Sequence, residues 1–160
     1  MSSELNNAPS GLNIVLYEPQ IPQNTGNIVR LCACTGANLY LVGKTGFHIT
    51  DRHLKRAGLD YGDFVNVKTL SSLDELYEQF PDGNFYYLST KASEKYTEAE
   101  FKQGDFLVFG SETKGLPEDI IFKNKDSALT IPMVNNMRSL NLANSVSIVL
   151  YEAIRQIELL

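Results

Sequence analysis

Short apolar runs alternate with polar stretches along the chain, and the apolar positions follow two periods. LNIVLY (12–17), NLYLVG (38–43), FVNV (64–67), NFYYLST (84–90), DFLVFG (105–110) and ALTIPM (128–133) are brief and bounded by turn formers. That pattern predicts six buried strands. Between them, apolar residues recur at helical spacing. Ile28, Leu31, Cys32 and Thr35 predict a helix capped by Asn24 or Thr25 and closed by Gly36. SSLDELYEQF (71–80) predicts a second, with Ser71 or Ser72 as cap and Leu73, Leu76, Tyr77 and Phe80 on one side. DRHLKRAG (51–58) reads as a short polar helix, and LPEDIIF (116–122) as another with Pro117 in its first turn. Leu142, Val146, Val149, Ala153 and Ile157 predict a long final helix. Strands alternating with helices imply an α/β fold, a mostly parallel sheet with helices on both faces. Ligands in such folds collect beyond the carboxyl ends of the strands.

Composition narrows this picture. The 160 residues suit one domain, expected over 12–160 behind a flexible polar leader at 1–11. No apolar run approaches the roughly 20 residues that span a membrane, and the leader has neither the basic start nor the apolar core of a secretion signal. A protein of the cytoplasm is expected. Cys32 and Cys34, the two cysteines, read as small buried hydrophobes in a reducing compartment. The net charge of −5 argues against indiscriminate nucleic-acid binding. Locally the balance reverses: Lys44, Arg52, Lys55 and Arg56 face Asp51 alone, with His48 and His53 nearby. This stretch is either a solvated helix face or a phosphate-contacting patch. Two histidines without a third ligand make no metal site, and no metal is expected.

Three strand ends carry unusual chemistry. In FGSETKGLP, Gly110 and Gly115 flank a polar turn without the Lys and Ser/Thr of a phosphate-binding P-loop. The loop either uses its glycines for positive φ or leaves them small so that a ligand can approach beside the Glu112 carboxylate. In NTGNIVR, Arg30 falls opposite the Ile28/Leu31/Cys32 stripe, as a solvated residue or as an anion contact. IPMVNNMRSLN and the start of the last helix offer Asn135, Asn136, Arg138, Ser139, Asn141, Asn144 and Ser145, more hydrogen-bonding groups than a helix cap uses.

Taken in this order at these strand ends, NTGNIVR, FGSETKGLP and IPMVNNMRSLNLANSVSIVLYEA resemble the three signature motifs of the SPOUT class of RNA methyltransferases. The opening LNIVLYEPQIPQNTGNIVRLCACTGANLYLV and the LKRAGLDY stretch are similar, more narrowly, to the small enzymes that methylate the ribose 2′-oxygen of cytidine or uridine 34, the wobble nucleotide, in tRNA-Leu species. Those enzymes lack the added RNA-binding extension of other members, and none is expected here. The resemblance implies a deep trefoil knot at the C-terminal side of the sheet and a homodimer whose sites draw on both chains. The surplus apolar residues Leu140, Ala143, Ile148 and Tyr151 around the last helix suit that dimer, or burial within a monomer. S-adenosyl-L-methionine is the implied cofactor, leaving S-adenosyl-L-homocysteine. Its implied contacts are Leu88, Thr90, Gly110, Glu112, Gly115, Ile131, Met133, Ser139 and Leu140. Arg30, Ser139 and Asn141 would serve the transfer, and Arg30, Arg52, Lys55, Arg56 and Arg138 would hold the anticodon stem-loop of tRNA. Within a buried, knotted loop, the Asn and Ser side chains would also satisfy backbone groups. The alternatives are another tRNA position or rRNA as target, or a non-catalytic RNA- or nucleotide-binding module.

Overall fold

A computed structural model of the chain describes residues 11–48 and 66–157. The patch residues Arg52, Lys55 and Arg56, with the polar helix expected at 51–58, lie outside the described residues. So does the leader expected at 1–11, apart from Gly11. The described elements run β1 (Asn13–Tyr17), α1 (Pro22–Thr35), β2 (Asn38–Val42), β3 (Val67–Leu70), α2 (Leu73–Gln79), β4 (Phe85–Leu88), β5 (Glu94–Lys95), β6 (Phe106–Phe109), α3 (Glu118–Lys123), β7 (Ala128–Thr130) and α4 (Leu142–Ile157). The strands form one sheet in the order β3-β2-β1-β6-β4-β7-β5. Every pairing between them is parallel.

Strand period two divides the core between the two faces. Ile14, Leu16, Leu39, Leu41, Leu107, Phe109 and Leu129 pack with Ile28, Val29 and Cys32 of α1 and Val146, Val149, Leu150 and Ala153 of α4. Val15, Tyr40, Val42, Phe106 and Val108 point the other way and pack with Leu73 and Leu76 of α2 and Ile121 of α3. The expected helices on both faces are present. A strand buried on both sides can be apolar throughout, as β6 is.

Local chemistry explains several boundaries. Ser72 caps α2 by accepting from the Glu75 amide at 3.2 Å, and Glu75 Oε1 reaches back to accept from the amide of the preceding Ser71 at 2.8 Å. Gly36 ends α1 at φ 78° and donates to the Cys32 carbonyl. Other details depart from the sequence reading. β5 is an unforeseen seventh strand, and its two exposed charged residues give no apolar signal. β7 stops at Thr130, which frees Ile131 and Met133 from the sheet. Cys34 is exposed, whereas Cys32 is buried. Two residues apart on a helix, both could not face the core. Burial pushes the Cys32 thiol well above its ordinary pKa, so it stays protonated.

β6 lies between β1 and β4, and β7 between β4 and β5. The segment from β5 to β6 is fastened to the last helix: Gln156 donates to the Ala99 carbonyl at 3.0 Å and accepts from the Phe101 amide at 2.9 Å.

Candidate active site

The carboxyl ends of β4, β6 and β7 open into one cleft of about 360 Å³. Three loops wall it: Leu88–Lys91, Phe109–Leu116, and Ile131 onward to Ser145 of α4. Every residue that the sequence reading gave to a cofactor stands on its lining: Leu88, Thr90, Gly110, Glu112, Gly115, Ile131, Met133, Ser139 and Leu140. Arg138 and Ser145, both of the polar run, line it as well, together with Ser89, Lys91 and Lys114, to which the reading gave no role. Lys91 and Lys114 carry no sequence signal beyond standing next to named residues.

The middle loop folds back on itself. The Gly115 amide donates to the Ser111 carbonyl at 3.0 Å, and the Lys114 amide to Ser111 Oγ at 3.2 Å. Gly115 takes φ 66°, as expected of a glycine there. Gly110 has a different reason to be small. A Cβ at Gly110 would collide with the backbone of Gly115 and Leu116, so the close approach is within the loop itself and not only to a ligand.

Asn135 and Asn136 explain half of the polar run before α4. They adopt φ 64° and 54°, two consecutive left-handed residues. Asn tolerates this region better than other side chains with a Cβ, and such a pair makes a tight reversal. The loop is not buried, against expectation: Val134 is 75% exposed and Met137 64%. The Asn and Ser side chains there meet water, so they are not needed to satisfy buried backbone groups.

Asn141 caps α4, its Oδ1 accepting from the Asn144 amide at 3.1 Å. It is not on the cleft lining, and its Nδ2 donates to Asn24 Oδ1 at 3.2 Å. Asn24 and Thr25 do not cap α1. The N-cap position belongs to Ile21, which has no side chain able to do it. Glu112 of the middle loop supplies the acceptors instead. Its Oε1 accepts from the Gln20 amide at 2.9 Å, and its Oε2 from the Ile21 amide at 3.0 Å and Asn24 Nδ2 at 3.1 Å. A carboxylate at a helix N-terminus gains from both the amides and the helix dipole. Thr25 Oγ1 is, among the described residues, the buried side-chain polar atom without a partner.

Arg30 is exposed on α1 and does not stand on the cleft lining. At the rim, Lys91 pairs with Glu118 at 2.8 Å, and this holds the Glu118 carboxyl below its ordinary pKa. Beside the cleft lies an apolar hollow formed by Pro132, Val134, Met137 and Leu140. Among the described residues no group of His, Cys, Asp or Glu is arranged to hold a metal ion. No described helix is long and apolar enough to cross a membrane.

The SpoU rRNA Methylase family matches residues 11–151 of the chain. The tRNA (cytidine(34)-2'-O)-methyltransferase of Saccharophagus degradans is 47% identical over 91% of this chain and 95% of its own. The Escherichia coli K12 protein of that name is 45% identical over 91% and 94%. A solved structure reported for 2-OH methylation of C/U34 on tRNA superposes with a TM-score of 0.87 at 41% identity, over 93% of this chain and 97% of that one. The SpoU methyltransferase AviRb from Streptomyces viridochromogenes, in complex with AdoMet, shares the fold with a TM-score of 0.83 at 23% identity, over 96% of this chain and 63% of that one.

Proposed function

The chain belongs to the SpoU methylase family, and from that premise we propose that it is an S-adenosylmethionine-dependent tRNA methyltransferase acting on the ribose 2′-oxygen of cytidine or uridine 34 in tRNA-Leu isoacceptors. The observation that carries this reading is the 47% and 45% identity to relatives named tRNA (cytidine(34)-2'-O)-methyltransferase, along nearly the full length of both chains. The cytoplasm, where tRNA is matured, is the compartment this implies.

The cleft fits the cofactor. Its volume lies in the range of small-ligand sites. Leu88, Ile131, Met133 and Leu140 offer apolar walls for an adenine ring, and three strand ends offer backbone groups to its edge. When bound, S-adenosylmethionine supplies a methyl group on a sulfonium, and S-adenosylhomocysteine is left. The protein's task is mostly positioning, because the displacement needs nucleophile and methyl group in line. Arg30, a permanent cation, holds the target nucleotide and stabilises the negative charge that develops on the ribose oxygen as its proton leaves. Ser139 offers its hydroxyl in the cleft, and Asn141 fixes the segment that carries it. Arg138, with Arg52, Lys55 and Arg56, contacts phosphates of the anticodon stem-loop.

A homodimer in which each site draws on both chains accounts for Arg30 standing apart from the cleft. A deep trefoil knot belongs to the same reading. The order of β6 and β7 in the sheet supports it, as does the bonding of Gln156 to the segment between β5 and β6. Residues 12–160 then act as one domain.

The test is methyl transfer to unmodified tRNA-Leu transcripts, followed by mapping of ribose methylation. Transfer to nucleotide 34 alone is expected. Methylation elsewhere in tRNA or in rRNA would move the target. A cofactor-induced rise in melting temperature without transfer to any RNA would identify a binding module.

A further inference from the structure

We propose that Lys91 is the counter-ion of the amino-acid carboxylate of S-adenosylmethionine, and that Glu118 competes with the cofactor for the same ammonium group. The proposal rests on the functional reading above and names the residue by which that site selects a cofactor bearing an amino-acid arm.

Charge makes the first half of the case. Among the described residues the cleft lining carries three cations, Lys91, Lys114 and Arg138, against one carboxylate, that of Glu112. The Glu112 oxygens are engaged by the protein itself, through the Gln20 and Ile21 amides and Asn24. The whole chain carries −5, so this positive excess is a property of the cleft. S-adenosylmethionine is rich in positive charge, with a sulfonium and an ammonium. Cations left unanswered on the lining would repel it. Its carboxylate is the one group that answers them.

Geometry singles out Lys91. Its amide donates to Ser89 Oγ at 3.0 Å, and the Ser89 amide donates to the Leu129 carbonyl of β7 at 2.9 Å. A turn fastened to the sheet therefore fixes where the side chain starts. Its ammonium already holds a carboxylate oxygen, Glu118 Oε1, at 2.8 Å. That pair joins the first wall of the cleft to the first residue of α3, just beyond the second wall. Both side chains are mostly exposed, 62% and 79%. An ion pair so well hydrated contributes little, and a second carboxylate can displace Glu118 at small cost. Lys91 keeps a carboxylate partner on both sides of the exchange.

The experiment is calorimetric titration with S-adenosylmethionine and with its decarboxylated analogue, which keeps the adenosine and both positive groups. Lys91→Gln should weaken S-adenosylmethionine about three- to tenfold, a modest loss because the contact is hydrated. The analogue should bind Lys91→Gln and wild type alike. Glu118→Gln removes the competitor and should tighten S-adenosylmethionine about threefold without changing the analogue. In the Lys91→Gln background, Glu118→Gln should change neither ligand, the non-additivity expected of residues in contact. Equal losses for both ligands in Lys91→Gln, or an unchanged affinity for S-adenosylmethionine, overturn the proposal. So does a Lys91→Gln protein that binds S-adenosylmethionine normally and tRNA more weakly, which would give Lys91 to an RNA phosphate. A gain from Glu118→Gln that persists without Lys91 overturns the competition. If the wild-type protein binds neither ligand, the cofactor reading of the cleft falls, and this proposal with it.

Discussion

Arg30 tests the chemistry most directly among single residues. Arg30→Lys keeps the charge and loses the planar donor fork. If the fork stabilises the forming alkoxide, single-turnover methylation at saturating tRNA should slow about a hundredfold, comparable to removing one transition-state donor. Cofactor affinity should hold, since Arg30 is off the cleft lining. Thr25 makes a prediction of opposite sign. Its hydroxyl is buried without a partner, so Thr25→Val should raise stability, by about 1 kcal/mol, in denaturant titration. Asp105 gives the pH dependence. Burial raises its pKa above the ordinary 3.8, against the pull of hydrogen bonds from the Lys102 amide and Asn84. Between the ordinary and the raised value, the folded chain keeps a proton that the unfolded chain has lost. Stability contributed by this group is therefore complete at low pH and falls as pH rises through that window. Asp105→Asn should flatten this component of the profile, seen as a smaller difference between urea midpoints at pH 4 and pH 6.

Loops and helices decide what local pattern can foretell. Gly110 and Ser139 both stand on the cleft, but the geometry separates them. Gly110→Val collides with the backbone of Gly115 and Leu116, so it should abolish S-adenosylmethionine binding and lower the melting temperature together. Ser139→Leu on its exposed loop should remove binding and leave the melting temperature near wild type. Calorimetry with thermal melts distinguishes the two, and equal melting temperatures for both variants would refute the role given to the Gly110 turn. Apart from β3, which runs Val67–Leu70 and shares only Val67 with the expected FVNV strand, strand and helix identities were legible because the apolar runs are short and bounded, and because α2 and α4 keep their helical period with local caps. The start of α1 was not legible. Its cap is Glu112, 91 residues from Ile21, and no window on the sequence contains both. β5 was silent because its pairing with β7 is carried by backbone groups. The cleft residues were legible through the resemblance, since their spacing along the chain is set by strand ends and not by a period. The second role of Glu112 at the start of α1 was not legible either, because Gln20, Ile21 and Asn24 lie 92, 91 and 88 residues from it.

At the scale of the whole molecule, the exposed apolar side chains set the expectation for assembly. Val134, Met137 and Leu140 before α4 and Tyr151 on it remain in contact with water in the isolated chain. Burying them against a second copy would remove surface that water disfavours. Sedimentation velocity at micromolar concentration should report a dimer, and Met137→Glu should shift it towards monomer with loss of transfer. A wild-type monomer with full activity would overturn this. The sheet order also bears on how the protein is made. β1 lies inside the sheet between β2 and β6, and the partner of Asn13 on one side is Asn38 while that on the other is Phe106. A ribosome adding 5–20 residues per second needs roughly 5–20 s to travel from the first of these strands to the last. During that interval β1, α1 and β2 can associate, but the free edge of β1 has nothing to pair with. Nascent chains stalled between β2 and β6 would present an apolar, unpaired strand to chaperones and to each other, and translation speed across this stretch becomes a determinant of yield.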